Sequence, residues 1–145
     1  MIDTTTAAYG AALLRVTLGV AALAHGLILK VFVFGIAGTV GFFESIGYPG
    51  FFAYLVMLGE IAGGLALITG VYARTAAVLM IPILLGAALQ HLPNGWVFNA
   101  TGGGWEYPVF WAAASAASAL IGPGAFALKL PFLPAEPFFA QGAQR

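Results

Sequence analysis

The chain is most informative in what it has little of. It has no cysteine among its 145 residues, which excludes internal disulfides, thiol–disulfide catalysis and thiolate metal ligands. Charged residues make up 7% of the sequence, against about 25% in a soluble domain, so a polar shell around a core is excluded too. Five acidic and five basic residues balance to a net charge of zero. That balance gives no electrostatic reason to expect nucleic acid as a partner.

Apolar residues are abundant instead, and they fall in four stretches. Hydrophobic residues make up 61% of the chain, and about 20 consecutive apolar residues form a helix that crosses a bilayer. We predict an all-α integral membrane four-helix bundle in lipid, a single domain over residues 1–145. The spans are expected at about 11–34, 51–72, 75–92 and 105–122. Thr4–Thr6 are candidate caps, residues 35–50 an interfacial segment, and 123–145 a C-terminal tail.

The loop cations predict the orientation. Four spans place both termini on one side of the membrane, where Arg74, Lys129 and Arg145 also fall, with Lys30 on the other side. Because cytoplasmic loops carry the excess of lysine and arginine, the termini are predicted to be cytoplasmic.

Four ionisable residues are the candidate catalytic groups: His25, Glu60, His91 and Glu106. At about 1.5 Å per residue, His25 lies on the order of 8 Å below the outer interface and Glu60 roughly 13 Å below it. His91 and Glu106 are at the outer ends of their spans, so all four belong to the outer half. Helical phase places small residues on the faces of both acids, which predicts that both point inward.

The chemistry of these groups is open at this point. Glu60 is either a proton acceptor or a structural partner of Arg15. The two histidines are hydrogen-bonded bundle residues or donors to a quinone-like carbonyl. A third alternative makes them haem ligands or, with Glu60 and Glu106, metal ligands.

Residues around these four are the candidate ligand-binding groups: Arg15, Lys30, Asn94, Trp105 and Tyr107. Arg15, near the inner end of its span, is predicted to snorkel to the headgroups. Lys30 is expected to anchor the outer interface. Trp96, Trp105 and Tyr107 are typical interfacial anchors, and the alternative is that they flank a ligand portal open to lipid.

Short motifs in a fixed order give the chain a family resemblance. They are Leu13-Leu14-Arg15, Ala24-His25-Gly26, Gly59-Glu60-Ile61-Ala62-Gly63-Gly64, His91-Leu92-Pro93-Asn94-Gly95, Gly102-Gly103-Gly104-Trp105-Glu106-Tyr107-Pro108 and Gly122-Pro123-Gly124. Together they resemble the DoxX family of small four-helix membrane proteins. The resemblance implies a bacterial inner-membrane location. It also implies a link to thiosulfate:quinone oxidoreductase or to resistance against oxidants, quinones and thiol stress.

Three functions follow as hypotheses. The first is a membrane subunit of a redox system that binds a quinone, or a similar redox-active molecule, in the outer half of the bundle. A soluble redox partner would supply its electrons. The second is a non-catalytic anchor or assembly subunit for soluble redox enzymes. The third is a small-solute transporter, which with four spans would need a homo-oligomer.

Overall fold

A computed structural model describes residues 3–137, and its regular structure there is helical throughout. The helices are α1 (Thr4–Leu23), which continues as a π-helix (Ala24–Val33), then α2 (Ile36–Ser45), α3 (Phe51–Thr69), α4 (Ala73–His91) and α5 (Glu106–Ile121). A short 3₁₀ turn, Leu92–Asn94, follows α4. The prediction of an all-helical protein is confirmed.

Among residues 3–137, three segments are long and apolar enough to cross a membrane: Thr5–Val33, Phe51–Thr69 and Ala73–Asn94. The predicted fourth span is a helix, but α5 has only 16 residues, or about 24 Å at 1.5 Å per residue. That length is short of a full hydrocarbon core of about 30 Å. The four long helices still form a bundle, in which α3 packs against α1 and α4, and α5 packs against α4 and α1.

Glycines set the closest approach between α1 and α3. A Cβ on Gly19 would lie 2.8 Å from the carbonyl oxygen of Gly64, and a Cβ on Gly64 would lie 2.9 Å from that of Gly19. No larger side chain fits at either position, which is how small residues bring membrane helices together.

The first helix begins earlier than the hydropathy predicts, at Thr4 rather than near Ala11. Its N-cap is Asp3, whose carboxylate accepts the backbone N–H of Thr5 at 2.9 Å. The expectation that the threonines themselves cap this helix is therefore wrong. A short acidic side chain just ahead of a helix is a preferred cap because it satisfies a free N–H.

The segment after α5 folds back across the end of the bundle that holds the N-terminus. Ala125 donates its N–H to the carbonyl of Ala8 (2.8 Å), and Leu128 donates to that of Thr69 (2.9 Å). Glu136 then accepts the N–H of Thr75 at 2.7 Å, in the first turn of α4, where a negative charge is favourable. Arg145, which the topology prediction also used, lies outside the described residues.

Arg15 joins this segment to the bundle. Only 1% of the residue is exposed, and its hydrogen bonds are to backbone carbonyls. Nε donates to Pro123 (2.8 Å), Nη1 to Leu67 and to Ile68 (2.7 Å), and Nη2 to Ala125 (3.2 Å). The prediction that Arg15 snorkels is wrong, because free carbonyls at the C-terminal end of α3 solvate its charge inside the protein.

Candidate functional site

A buried ion pair lies between the π-helix and α3. The Lys30 ammonium Nζ lies 2.8 Å from both carboxylate oxygens of Glu60. The two side chains are 18% and 7% exposed. Glu60 therefore points inward as predicted, and its partner is Lys30 rather than Arg15. Removing two charges from water is costly, and the loss is offset only when both are closely paired, as here.

Local backbone geometry creates room for this pair. In the π-helix the N–H of Phe34 donates to the carbonyl five residues earlier, at Leu29, with a length of 2.8 Å. Gly26 and Lys30 are four residues apart and so lie on one face of the helix, and both contact Glu60 of α3. A Cβ on Gly26 would lie only 2.7 Å from the Cβ of Glu60. Gly26 thus lets α3 approach until the Glu60 carboxylate lies beside Lys30. The backbone of Lys30 is held in turn by the Thr39 hydroxyl, which donates to the Lys30 carbonyl at 2.8 Å.

His25 faces α5 in the same half of the bundle. Its ring meets the ring of Trp111 edge-on, with 5.2 Å between the centroids. Trp111 in turn contacts Tyr107 at 5.8 Å. Trp111 Nε1 and Ser115 Oγ are buried donors that have no hydrogen-bond partner among the described residues. This face of α5 therefore brings polar groups into the bundle near the buried pair.

His91 and Asn94 shape the long loop between α4 and α5. His91 Nδ1 lies 3.0 Å from the carbonyl oxygen of Gly102. The Asn94 amide donates to the carbonyls of Gly102 (3.0 Å) and Gly103 (2.9 Å). The structure thus places both predicted residues in contacts that fold the loop back on the end of α4.

Glu106 and Tyr107 line a groove at the outer surface of α5. The groove has a volume of about 450 Å³ and is walled by Trp96, Phe98, Val109 and Phe110, with Glu106 and Tyr107 as its polar groups. Glu106 Oε1 accepts the N–H of Phe98 at 2.9 Å, which fixes the wall of the groove. Trp105 packs edge-on against Trp96 at 4.4 Å and supports the same wall.

The inward orientation predicted for Glu106 is wrong. Ala113, which shares its face, is exposed in the groove, whereas Trp111 and Ser115 face the bundle. Small residues occur on both faces of α5, so they do not identify which face is buried.

The nine predicted site residues thus fall in three places. Lys30, Glu60 and His25 lie within the bundle, and Arg15 lies toward its other end. The third set is in and around the loop between α4 and α5: His91, Asn94, Trp105, Glu106 and Tyr107. Within residues 3–137 no three histidine or acidic side chains come close enough to hold a metal ion, so the predicted set of His25, Glu60, His91 and Glu106 is not assembled as a metal site.

Sequence reasoning missed the polar groups of α5. Trp111 and Ser115 are ordinary residues of an apolar helix in the sequence, and no spacing distinguishes them. The Lys30–Glu60 pair had a signal, because opposite charges lie in the same half of neighbouring spans and a lysine stem can reach inward.

The fold and the buried pair define a small helical membrane protein that carries charges within its bundle. Residues 10–99 match the DoxX family, and the chain belongs to that family. The match includes Arg15, His25, Lys30 and Glu60, and it ends before the groove residues of α5.

Two relatives are similar over part of the chain. One is "Putative oxidoreductase CatD" of Bacillus subtilis (strain 168), 40% identical over 55% of this chain and 58% of that protein. The other is "Inner membrane protein YqjF" of Escherichia coli (strain K12), 45% identical over 39% of this chain and 45% of that protein. The chain thus spans about half the length of these curated relatives. No solved structure matches it significantly.

Proposed function

We propose that the protein is the membrane subunit of a redox system and binds a quinone, or a similar flat, lipid-soluble redox-active molecule, in the groove on α5. The groove is the observation that carries the proposal. Its volume of about 450 Å³ is within the range of small-molecule sites, which combine apolar walls with a few polar groups. Phe98 and Phe110 are well exposed and offer faces for a ring, and Glu106 and Tyr107 offer polar contacts.

These two polar groups suit the chemistry of a quinone. Reduction to the quinol adds two electrons and two protons, one proton to each carbonyl oxygen. The Tyr107 hydroxyl can donate a hydrogen bond to a carbonyl oxygen, and the Glu106 carboxyl can exchange a proton with one. The two electrons would come from a reduced soluble partner protein. The name of the Bacillus relative supports a redox role.

The interior residues have a supporting role in this proposal. Tyr107 lines the groove and contacts Trp111, which contacts His25, so ring contacts connect the groove to the interior. His25 and Glu60 remain the candidate proton-exchanging groups behind it. Ionisable residues at membrane depth are costly and usually functional, which favours such a role over a purely structural one.

Purification in mild detergent followed by an oxidised-minus-reduced ultraviolet–visible spectrum tests whether the protein retains a quinone. Direct binding is measured with decylubiquinone as the probe, through quenching of tryptophan emission, since Trp96 lines the groove. We expect Tyr107→Phe and Glu106→Leu each to weaken binding about tenfold, the effect of losing one hydrogen bond worth about 1.4 kcal/mol.

Tyr54→Phe is the matched control, because Tyr54 is similarly exposed but belongs to α3. It should leave the affinity unchanged. A flat difference spectrum together with quenching that does not saturate would refute quinone binding. Saturable quenching that both groove variants leave intact would move the ligand elsewhere.

A further inference from the structure

Two buried donors on α5 lack acceptors. Trp111 is 5% exposed and Ser115 0% exposed, and neither Trp111 Nε1 nor Ser115 Oγ has a hydrogen-bond partner within the described part of the chain. Residues four apart on a helix lie on the same face, one turn from each other. Both donors therefore belong to one patch of the surface that α5 turns toward the bundle.

A hydroxyl in a helix has an easy alternative, which Ser115 does not take. Serine and threonine often donate to the carbonyl four residues earlier, and Thr69 does so here, to Leu65 at 2.8 Å. Ser115 makes no such bond to the carbonyl of Trp111. Since leaving a buried donor unpaired is unfavourable, two unpaired donors on one face of α5 indicate a shared acceptor that is not among residues 3–137.

A third polar group, the imidazole of His25, borders this patch. The His25 ring contacts Trp111 edge-on at 5.2 Å, so an imidazole borders the donors. One oxygen atom has two lone pairs and can accept from both donors at once. Buried waters occupy sites with two to four polar partners, and a ligand carbonyl offers the same acceptor chemistry.

We propose that Trp111 Nε1 and Ser115 Oγ bind one acceptor oxygen inside the bundle, beside His25. The oxygen belongs either to a resident water or to the carbonyl of a lipid-soluble ligand. The site is distinct from the groove, because Phe110 and Ala113 carry the groove on the exposed face of α5. The inference therefore does not depend on the proposed function.

The three tryptophans of the chain make the site directly observable. Trp96→Phe with Trp105→Phe leaves Trp111 as the only indole, and both replacements are in the outer loop. With ¹⁵N-labelled tryptophan, the full chain in micelles then gives one indole ¹H–¹⁵N resonance. We expect a downfield proton position, as for a bonded N–H. If the double replacement does not fold, Trp111→Phe alone identifies the Trp111 resonance, because that resonance is the one missing from the wild-type spectrum.

Ser115→Ala should shift this resonance upfield, because it removes one of the two groups that hold the oxygen. Ser118→Ala is the matched control, a second buried serine on α5, and should leave it in place. A magnetisation-exchange cross-peak to water that decylubiquinone does not disturb identifies a resident water. A resonance that moves as decylubiquinone is added, at the same concentrations in Tyr107→Phe as in the wild type, identifies a carbonyl, because Tyr107→Phe weakens binding at the groove alone.

An indole proton at the position of an unbonded N–H, with no water cross-peak and no response to decylubiquinone or to Ser115→Ala, overturns the inference. Loss of quinone binding at the groove with a bonded Trp111 indole would instead refute the proposed function alone.

Discussion

The first helix and its π-helical continuation carry two cations inside the bundle, the buried Arg15 and the part-buried Lys30, and these are stabilised in different ways. Arg15 donates to four backbone carbonyls, whereas Lys30 forms an ion pair with Glu60. The guanidinium has five donors in a planar fork, which suits several carbonyls at once, and the ammonium is a compact charge that a carboxylate can balance. The comparison separates a cation that fastens the fold from one whose site depends on a single acidic side chain.

Removing Arg15 should have the largest effect. Arg15→Met leaves four backbone carbonyls, one buried and three part-buried, without their donor. Hydrogen bonds to a charged group contribute about 1.5–3 kcal/mol each. We expect the free energy of unfolding in detergent to fall by at least about 3 kcal/mol, on two or more such bonds. The segment after α5 should also become sensitive to protease, because Pro123 and Ala125 lose their attachment.

Lys129→Met is the control for this change, since it removes an exposed cation of the same segment. It should alter neither stability nor cleavage. If Arg15→Met behaved like this control, Arg15 would not be the attachment that its contacts indicate. Arg15→Lys should recover little, because an ammonium cannot reach carbonyls on both α3 and the segment.

Breaking the Lys30–Glu60 pair should lower the free energy of unfolding by a similar or smaller amount, and a second substitution should restore most of the loss. Glu60→Gln leaves the Lys30 ammonium buried without a counter-charge, and such losses are about 3–5 kcal/mol. The double variant Lys30→Met with Glu60→Leu should recover most of this, because apolar residues of similar volume replace a buried pair with little loss. Unfolding of Lys30→Met, Glu60→Leu and the double variant, each compared with the wild type, gives the coupling energy of the pair.

Additive effects in that cycle would show that the pair is not coupled. A stable double variant would also allow the function of the pair to be tested in a folded protein. No such test is possible for Arg15, because its removal is expected to destabilise the protein without rescue. If the double variant folds and still exchanges protons with bound decylubiquinone, the pair serves the fold alone. If the double variant folds but fails to exchange protons with the ligand, Glu60 has the role proposed for it.

The glycine beside the pair should give a smaller effect. Gly26→Ala places a methyl carbon 2.7 Å from the Cβ of Glu60, which is closer than two carbon atoms normally approach. Overpacking of this kind typically lowers the free energy of unfolding by about 1–3 kcal/mol. Gly10→Ala on the same first helix meets nothing within 4 Å and should be neutral or slightly stabilising. Equal unfolding free energies for the two variants would mean that α3 can withdraw freely from the π-helix.

The sequence predicted the ends of most helices well. The helix predicted over 105–122 spans Glu106–Ile121, and the one predicted over 75–92 spans Ala73–His91, since prolines, glycines and polar turns mark these ends. The start of the first helix was missed because Thr4–Ala8 adds little hydropathy. Hydropathy measures transfer into lipid, and a helix can extend beyond the part that is apolar.

The partners of the charged groups were harder to predict. Helical phase gave the correct inward face for Glu60, but it cannot say which residue lies opposite on another helix. The answer depends on how closely the helices pack, since Gly26 lets α3 approach until the Glu60 carboxylate lies beside Lys30. The orientation predicted for Glu106 was wrong for a different reason. Alanines lie on both the buried and the exposed face of α5, so small residues do not show which face packs against the bundle.

The smallest expected effect concerns Asp3, an exposed carboxylate at the N-cap of the first helix. Asp3, outside the membrane-spanning segment, accepts the N–H of Thr5, and this hydrogen bond lowers the pKa of its carboxyl group. A lowered pKa in the folded state means that the cap is fully formed above the ordinary pKa of aspartate. It weakens as the pH falls through the lowered value.

Amide exchange of Thr5 should therefore speed up at acid pH in the wild type, relative to the intrinsic rate. Asp3→Asn keeps an acceptor oxygen that does not titrate, so its protection of Thr5 should not change with pH over that range. Protection that falls with acid equally in both proteins would show that the Asp3 carboxylate does not control this end of the helix. Exchange at the buried end near Lys30 should be unaffected in either case, because the loss of an exposed cap acts within the first helical turn.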